Sequence, residues 1–129
     1  MVIPNMSALA LSKAIHSKQV SCREVMQAYL NQIEKHNPAS NAIVSLAPQE
    51  ALLAQADERD AQLARGQSMG WMHGFPQAVK DLLDVQGFRT SHGSPLTPLT
   101  PAGKDSLMAA RMRAAGCIMI GKTLSLIHI

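Results

Sequence analysis

The stretch Gly74-Phe75-Pro76-Gln77-Ala78-Val79-Lys80-Asp81-Leu82-Leu83-Asp84-Val85 decides how this chain is read. A Gly/Pro turn leads into a short apolar run, the run ends on a lysine, and two aspartates follow. Gln77 to Lys80 reads as a short buried strand. Burial disfavours the charged form of an amine, so a lysine in an apolar pocket can serve as a base. An unperturbed lysine, with a pKa of about 10.4, stays protonated at neutral pH and cannot take a proton from a hydroxyl. Ala78-Val79 before Lys80 and Leu82-Leu83 after it fit such a pocket. Asp81 works against it, because a neighbouring carboxylate favours the ammonium. In extended backbone the side chains of residues 80 and 81 point to opposite sides, which reduces the conflict. Without further context the same lysine also fits a solvated strand end.

Working outward, the chain alternates helical and strand patterns. Ser7 to Ser17 predicts a first helix, with Leu11, Ala14 and Ile15 on one face. Ser21 and Glu24 form the S-x-x-E capping box of a second helix. Val25, Met26, Tyr29, Leu30 and Ile33 give that helix one buried stripe, and Pro38 predicts its end near His36. Ala42 to Leu46 reads as a strand. Pro48 opens a third helix that runs to about Arg65 and stops at Gly66. Residues 66 to 76 read as loop, and Pro95, Pro98 and Pro101 exclude long regular structure. Lys104 to Ala115 predicts a helix with Met108, Met112 and Ala115 on one face, followed by the apolar strand Cys117 to Ile120. Helix passing directly into apolar strand points to an α/β layer arrangement.

Composition narrows the function classes. The 129 residues fit one domain, and 47% hydrophobic with 16% charged content describes a globular chain. Only 3% of residues are aromatic, and the net charge of +3 comes from scattered basic residues, so no nucleic-acid surface is expected. No apolar run reaches membrane-spanning length and no signal-peptide pattern opens the chain, so a cytoplasmic, non-membrane setting is expected. Cys22 and Cys117 are far apart, and reduced thiols are the better expectation. The five histidines are dispersed without ligand spacing, so no metal and no cofactor is implied. His73 and His92 flank the lysine segment and read as surface loop residues. Gly116 to Thr123 matches the phosphate-loop spacing G-x-x-x-x-G-K-[ST], but Cys117-Ile118-Met119-Ile120 favours a strand over a nest of backbone N–H groups.

The continuous segment from His73 to Pro95, HGFPQAVKDLLDVQGFRTSHGSP, resembles the lysine-bearing segment of the amidase signature family. The two opening helices, the HNPASNAIVSL join and the pattern from Asp105 through Arg111 to Thr123 are similar to that family as well. The resemblance covers nearly all of residues 5 to 123. It implies a mixed sheet flanked by helices and a Ser-cis-Ser-Lys triad, in which Lys80 holds the lysine position. The family's Gly-Gly-Ser-Ser-Gly-Gly segment and its Gly-Ser-Ile-Arg-type segment do not occur in the 129 residues, and Ser91 and Ser94 do not replace their serines.

The expectation is therefore the N-terminal part of a single amidase domain over 1–123, inactive alone, with an atypical tail over 124–129. The resemblance implies a small-molecule amide as substrate of the full-length enzyme. One alternative is the glutamine-hydrolysing component of a tRNA-dependent amidotransferase. From another class, a non-catalytic α/β module that binds or scaffolds also fits the residues.

Overall fold

A computed structural model describes residues 2–125. After a short 3-10 turn at Ile3–Asn5 come α1 (Ala8–His16), α2 (Cys22–Ser40), β1 (Ile43–Leu46), α3 (Gln49–Ala64), β2 (Pro76–Lys80), α4 (Leu107–Ala114) and β3 (Ile118–Thr123). The three strands form one mixed sheet in the order β1-β3-β2. β3 lies in the middle, antiparallel to β1 and parallel to β2. The α/β class and the helix-flanked mixed sheet are as expected.

The helix starts follow from their caps. Ser7 Oγ accepts the Ala10 N–H at 3.2 Å, which opens α1. At α2, Ser21 Oγ accepts the Glu24 N–H at 3.0 Å, and Glu24 Oε2 accepts the Ser21 N–H at 2.8 Å. The Asp60 carboxylate, on α3, takes the N–H groups of Cys22 and Arg23 at 2.7 and 3.1 Å. These bonds satisfy donors that a helix start otherwise leaves without partners, and they tie α2 to α3.

Two boundaries differ from the sequence reading. α2 does not stop near His36 but runs through Pro38 to Ser40. The residue before a proline is only biased away from helix, and here the last turn is braced. The Asn37 side chain bonds both the N–H and the carbonyl of Ile43, at 2.8 and 3.0 Å, and Asn41 ends the helix in the left-handed region. α4 begins at Leu107, not Lys104, because Ser106 caps it and Asp105 is used elsewhere. The Asp105 carboxylate accepts the Gln86 N–H at 2.7 Å and the Arg113 guanidinium at 2.8 Å. The buried face of α4 is also different from the one expected. Ala109 is buried, whereas Met108 is exposed and Met112 and Ala115 are half-buried.

The core lies between the sheet and the helices. Leu11, Ala14 and Ile15 of α1, Val25, Met26 and Leu30 of α2, and Leu52 and Ala56 of α3 pack with Val79 and Ile118 to Ile120. Tyr29 and Ile33, expected on the same stripe of α2, are half-buried and pack against it. Each fully buried Ile or Leu contributes about 2 kcal/mol of transfer free energy. Gly121 in β3 is required by a close approach, since a Cβ there would collide with the Ser45 carbonyl of β1. Of the tail expected to be atypical, Leu124 donates its N–H to the Ala42 carbonyl at 2.8 Å and Ser125 is buried. Residues 126–129 of that tail lie outside the described residues.

Candidate active site

Lys80 ends β2, paired across the sheet with Thr123 of β3. The alternation of the strand places Val79 in the core at 2% exposure and turns Lys80 outward, where it is exposed. The apolar pocket expected around this lysine is therefore not formed by residues 2–125. Leu82 is exposed and Leu83 only half-buried, because the chain turns immediately after the strand. Asp81 points the other way and is buried at 2%, so residues 80 and 81 lie on opposite sides.

The core side of this strand end holds a polar network that the sequence reading did not contain. Lys122 of β3 is fully buried, and its Nζ donates to Asp81 Oδ1 at 3.2 Å. The same ammonium donates to Thr90 Oγ1 at 3.2 Å and to the Arg89 carbonyl at 3.4 Å. Asp81 also accepts the Ser91 N–H at 3.1 Å and the Ser91 hydroxyl. Burial pushes the Asp81 carboxyl up, but the two Ser91 donors and Lys122 outweigh it and hold the group below the usual carboxylate range. Ser91 is thereby committed to Asp81. The sequence held no direct signal for this pair, because the Val79↔Lys122 register that brings residues 81 and 122 together is set by the sheet.

The loop from residue 89 to 98 is fastened by its own side chains. Arg89 donates to the carbonyls of Thr97 at 2.7 Å and Pro98 at 2.9 Å, and Thr90 Oγ1 donates to Asp84 at 2.7 Å. The segment with phosphate-loop spacing is strand from Ile118 to Thr123, and its lysine is the one paired with Asp81.

His73 is fully buried, contrary to the surface position expected for it. Its Nδ1 accepts the Met69 N–H at 3.0 Å, so Nε2 carries the proton and donates to the Arg59 carbonyl at 2.9 Å. Burial lowers its pKa, which favours this neutral ring. It packs beneath Gly116, where a Cβ would come within 2.6 Å of the His73 Cα. His92 is exposed, as expected. Cys22 and Cys117 are free thiols, both buried. Burial, then the Asp60 carboxylate, pushes Cys22 up to about 12, and burial pushes Cys117 up to about 11, so neither is a ready nucleophile. Among the described residues no group of three or more His, Cys, Asp or Glu could hold a metal ion. No helix among them is long and apolar enough to cross a membrane.

Known proteins share both this sequence and this arrangement. The family model described as Amidase matches residues 24–125. The chain is 40% identical over 123 residues to a glutamyl-tRNA(Gln) amidotransferase polypeptide of Thiobacillus denitrificans, covering 95% of this chain and 24% of that one. A protein of the same name from Alkaliphilus metalliredigens is 33% identical over 123 residues, with 95% and 25% covered. The chain thus spans about a quarter of the length of the curated relatives it matches. Among solved structures, native peptide amidase from Stenotrophomonas maltophilia superposes with a TM-score of 0.81 at 29% identity, over 92% of this chain and 24% of that one. Fatty acid amide hydrolase shares the fold, with a TM-score of 0.86 at 23% identity, over 94% and 21%. With a family model matched across β1, β2 and β3 and the lysine segment between them, the chain belongs to the amidase signature family.

Proposed function

We propose that Lys80 is the base of a Ser-cis-Ser-Lys amide hydrolase, and that this chain supplies the lysine and the strands that hold it. The observation that carries the reading is the placement of Lys80. It stands at the end of β2, turned away from the core, while the one carboxylate beside it in sequence is turned inward and paired with Lys122. Among the described residues the ion pairs are Arg23–Asp57, Arg113–Asp105 and Lys122–Asp81, and Lys80 is in none of them.

In the reaction, one serine hydroxyl attacks the amide carbonyl carbon and passes its proton through the second serine to the Lys80 amine. The C–N bond of the tetrahedral intermediate then breaks, and the proton returns to the leaving nitrogen. Water hydrolyses the acyl-serine in the same manner. The two serines and the oxyanion donors come from outside residues 1–129, and the apolar cover that Lys80 needs to lose its proton comes from outside residues 2–125. The substrate is a small-molecule amide. Two free, buried thiols support a reducing, cytoplasmic setting.

A chimaera tests the assignment, with residues 1–123 replacing the matching quarter of the Stenotrophomonas peptide amidase. Ammonia release from peptide amides is expected from the chimaera, and Lys80→Ala is expected to lower kcat by about 10²–10⁴-fold or more. Full activity in the Lys80→Ala chimaera would reject the role. Residues 1–129 alone are expected to release no ammonia from any carboxamide. The names of the Thiobacillus and Alkaliphilus relatives favour a second reading, in which the amide is that of glutamine. A chimaera built on either of those proteins that hydrolyses glutamine would select it.

A further inference from the structure

We propose that Lys122 is a positioning residue for Lys80: by pairing with Asp81 inside the core, it removes that carboxylate's charge and hydrogen-bonding capacity from the side of the strand on which Lys80 acts. The inference rests on the reading of Lys80 as a base. Such a base must be able to give up its proton, and an adjacent carboxylate opposes this. In this fold Asp81 has a structural task of its own, because it receives both donors of Ser91 and so anchors the loop that follows β2. The conflict is resolved across the sheet. Lys122 lies on the neighbouring strand, one register step from the Lys80↔Thr123 pair, and places its ammonium 3.2 Å from Asp81 Oδ1 with neither side chain reaching solvent. A buried cation and anion at this distance present a dipole to Lys80 in place of a full negative charge.

Among the described residues, the other charged groups around this strand end are engaged elsewhere or exposed. On the loop, Arg89 is turned to Thr97 and Pro98, Asp84 accepts from Thr90, and His92 is exposed. β1 carries no titratable group, and the buried stripe of α2 is Cys22, Val25, Met26 and Leu30. From α3, Arg59 reaches the Gly116 carbonyl and Asp60 caps α2. From α4, Arg113 pairs with Asp105.

The test reads the reactivity of the Lys80 amine in the 129-residue chain. Acylation by N-hydroxysuccinimidyl acetate at pH 8 is followed by peptide mass spectrometry, with Lys13 as internal reference. Removing the cation in Lys122→Met is expected to slow acylation of Lys80 by about twofold, and removing the anion in Asp81→Asn to speed it by about twofold, which is what one unit charge roughly 10 Å away exerts through water-like surroundings. The double variant returns to the native rate. A purely structural role would move both single variants in the same direction, and that result, or no change in either, overturns the proposal. If circular dichroism shows Lys122→Met unfolded, the decision passes to Lys122→Arg, expected at the native rate, and Asp81→Asn, expected faster. No acceleration in Asp81→Asn then overturns it. The Lys80→Ala chimaera separately reports whether the underlying assignment of Lys80 holds.

Discussion

Lys122 and Asp81 stand on neighbouring strands with 3.2 Å between Nζ and Oδ1, and both are removed from solvent. A buried pair of this kind is a weak source of net stability, because desolvating two charges offsets most of their attraction. Breaking it is another matter, since the remaining ion keeps its desolvation cost and loses its partner. Lys122→Met is expected to destabilise the chain by about 3–5 kcal/mol, measured by urea unfolding. The double variant Asp81→Asn/Lys122→Met is expected to be less destabilised than the sum of the two single variants. Additive losses would show that the two side chains do not act as a unit.

The depressed carboxyl of Asp81 gives stability a pH dependence of definite sign. The unfolded chain binds a proton at Asp81 more readily than the folded one, so the contribution of this group is complete above the unfolded carboxyl pKa of about 3.9 and is lost as pH falls below it. Unfolding free energy measured from pH 6 down to pH 2 should therefore fall less steeply in Asp81→Asn than in the native chain. Equal slopes would remove the assignment.

Gly121 carries a steric prediction. A methyl at this position meets the Ser45 carbonyl of β1. Gly121→Ala is expected to force β1 away from β3 and cost about 1–3 kcal/mol, with faster amide exchange at Leu124, whose N–H bonds the Ala42 carbonyl just before β1. Native stability in this variant would mean that the two strands part without cost.

The capping box of α2 is a local contribution and has a smaller expected effect. Ser21→Ala removes the acceptor for the Glu24 N–H and is expected to cost about 1 kcal/mol in thermal or urea unfolding. Ser21→Asp, which restores an acceptor, is expected to recover most of it.

Thiol chemistry supplies a check on burial. With Cys22 pushed up to about 12 and Cys117 up to about 11, labelling by a disulfide reagent at pH 8 should be slow in the folded chain and immediate in denaturant. Rapid labelling of either thiol under native conditions would contradict the packing of Cys22 against Gly74 or of Cys117 just before β3.

Local signals decided the elements of this protein, because caps, apolar periodicity and glycine stops act within a turn or two of the residues that form them. Ser21-x-x-Glu24, the Leu11/Ala14/Ile15 face and Gly66 after α3 all appear in the structure where the residues place them. The position of Lys80 at the end of a strand was legible in the same way. Pro38 was misleading because its effect on helix is only a bias, and the Asn37–Ile43 bonds that overcame it are made by a side chain reaching beyond the helix. Only the tertiary arrangement paired Lys122 with Asp81, buried His73 under Gly116, and left Lys80 facing outward. Each of these depends on which strand lies beside β2 and in what register, and contacts between residues forty positions apart leave no mark in the periodicity of either segment.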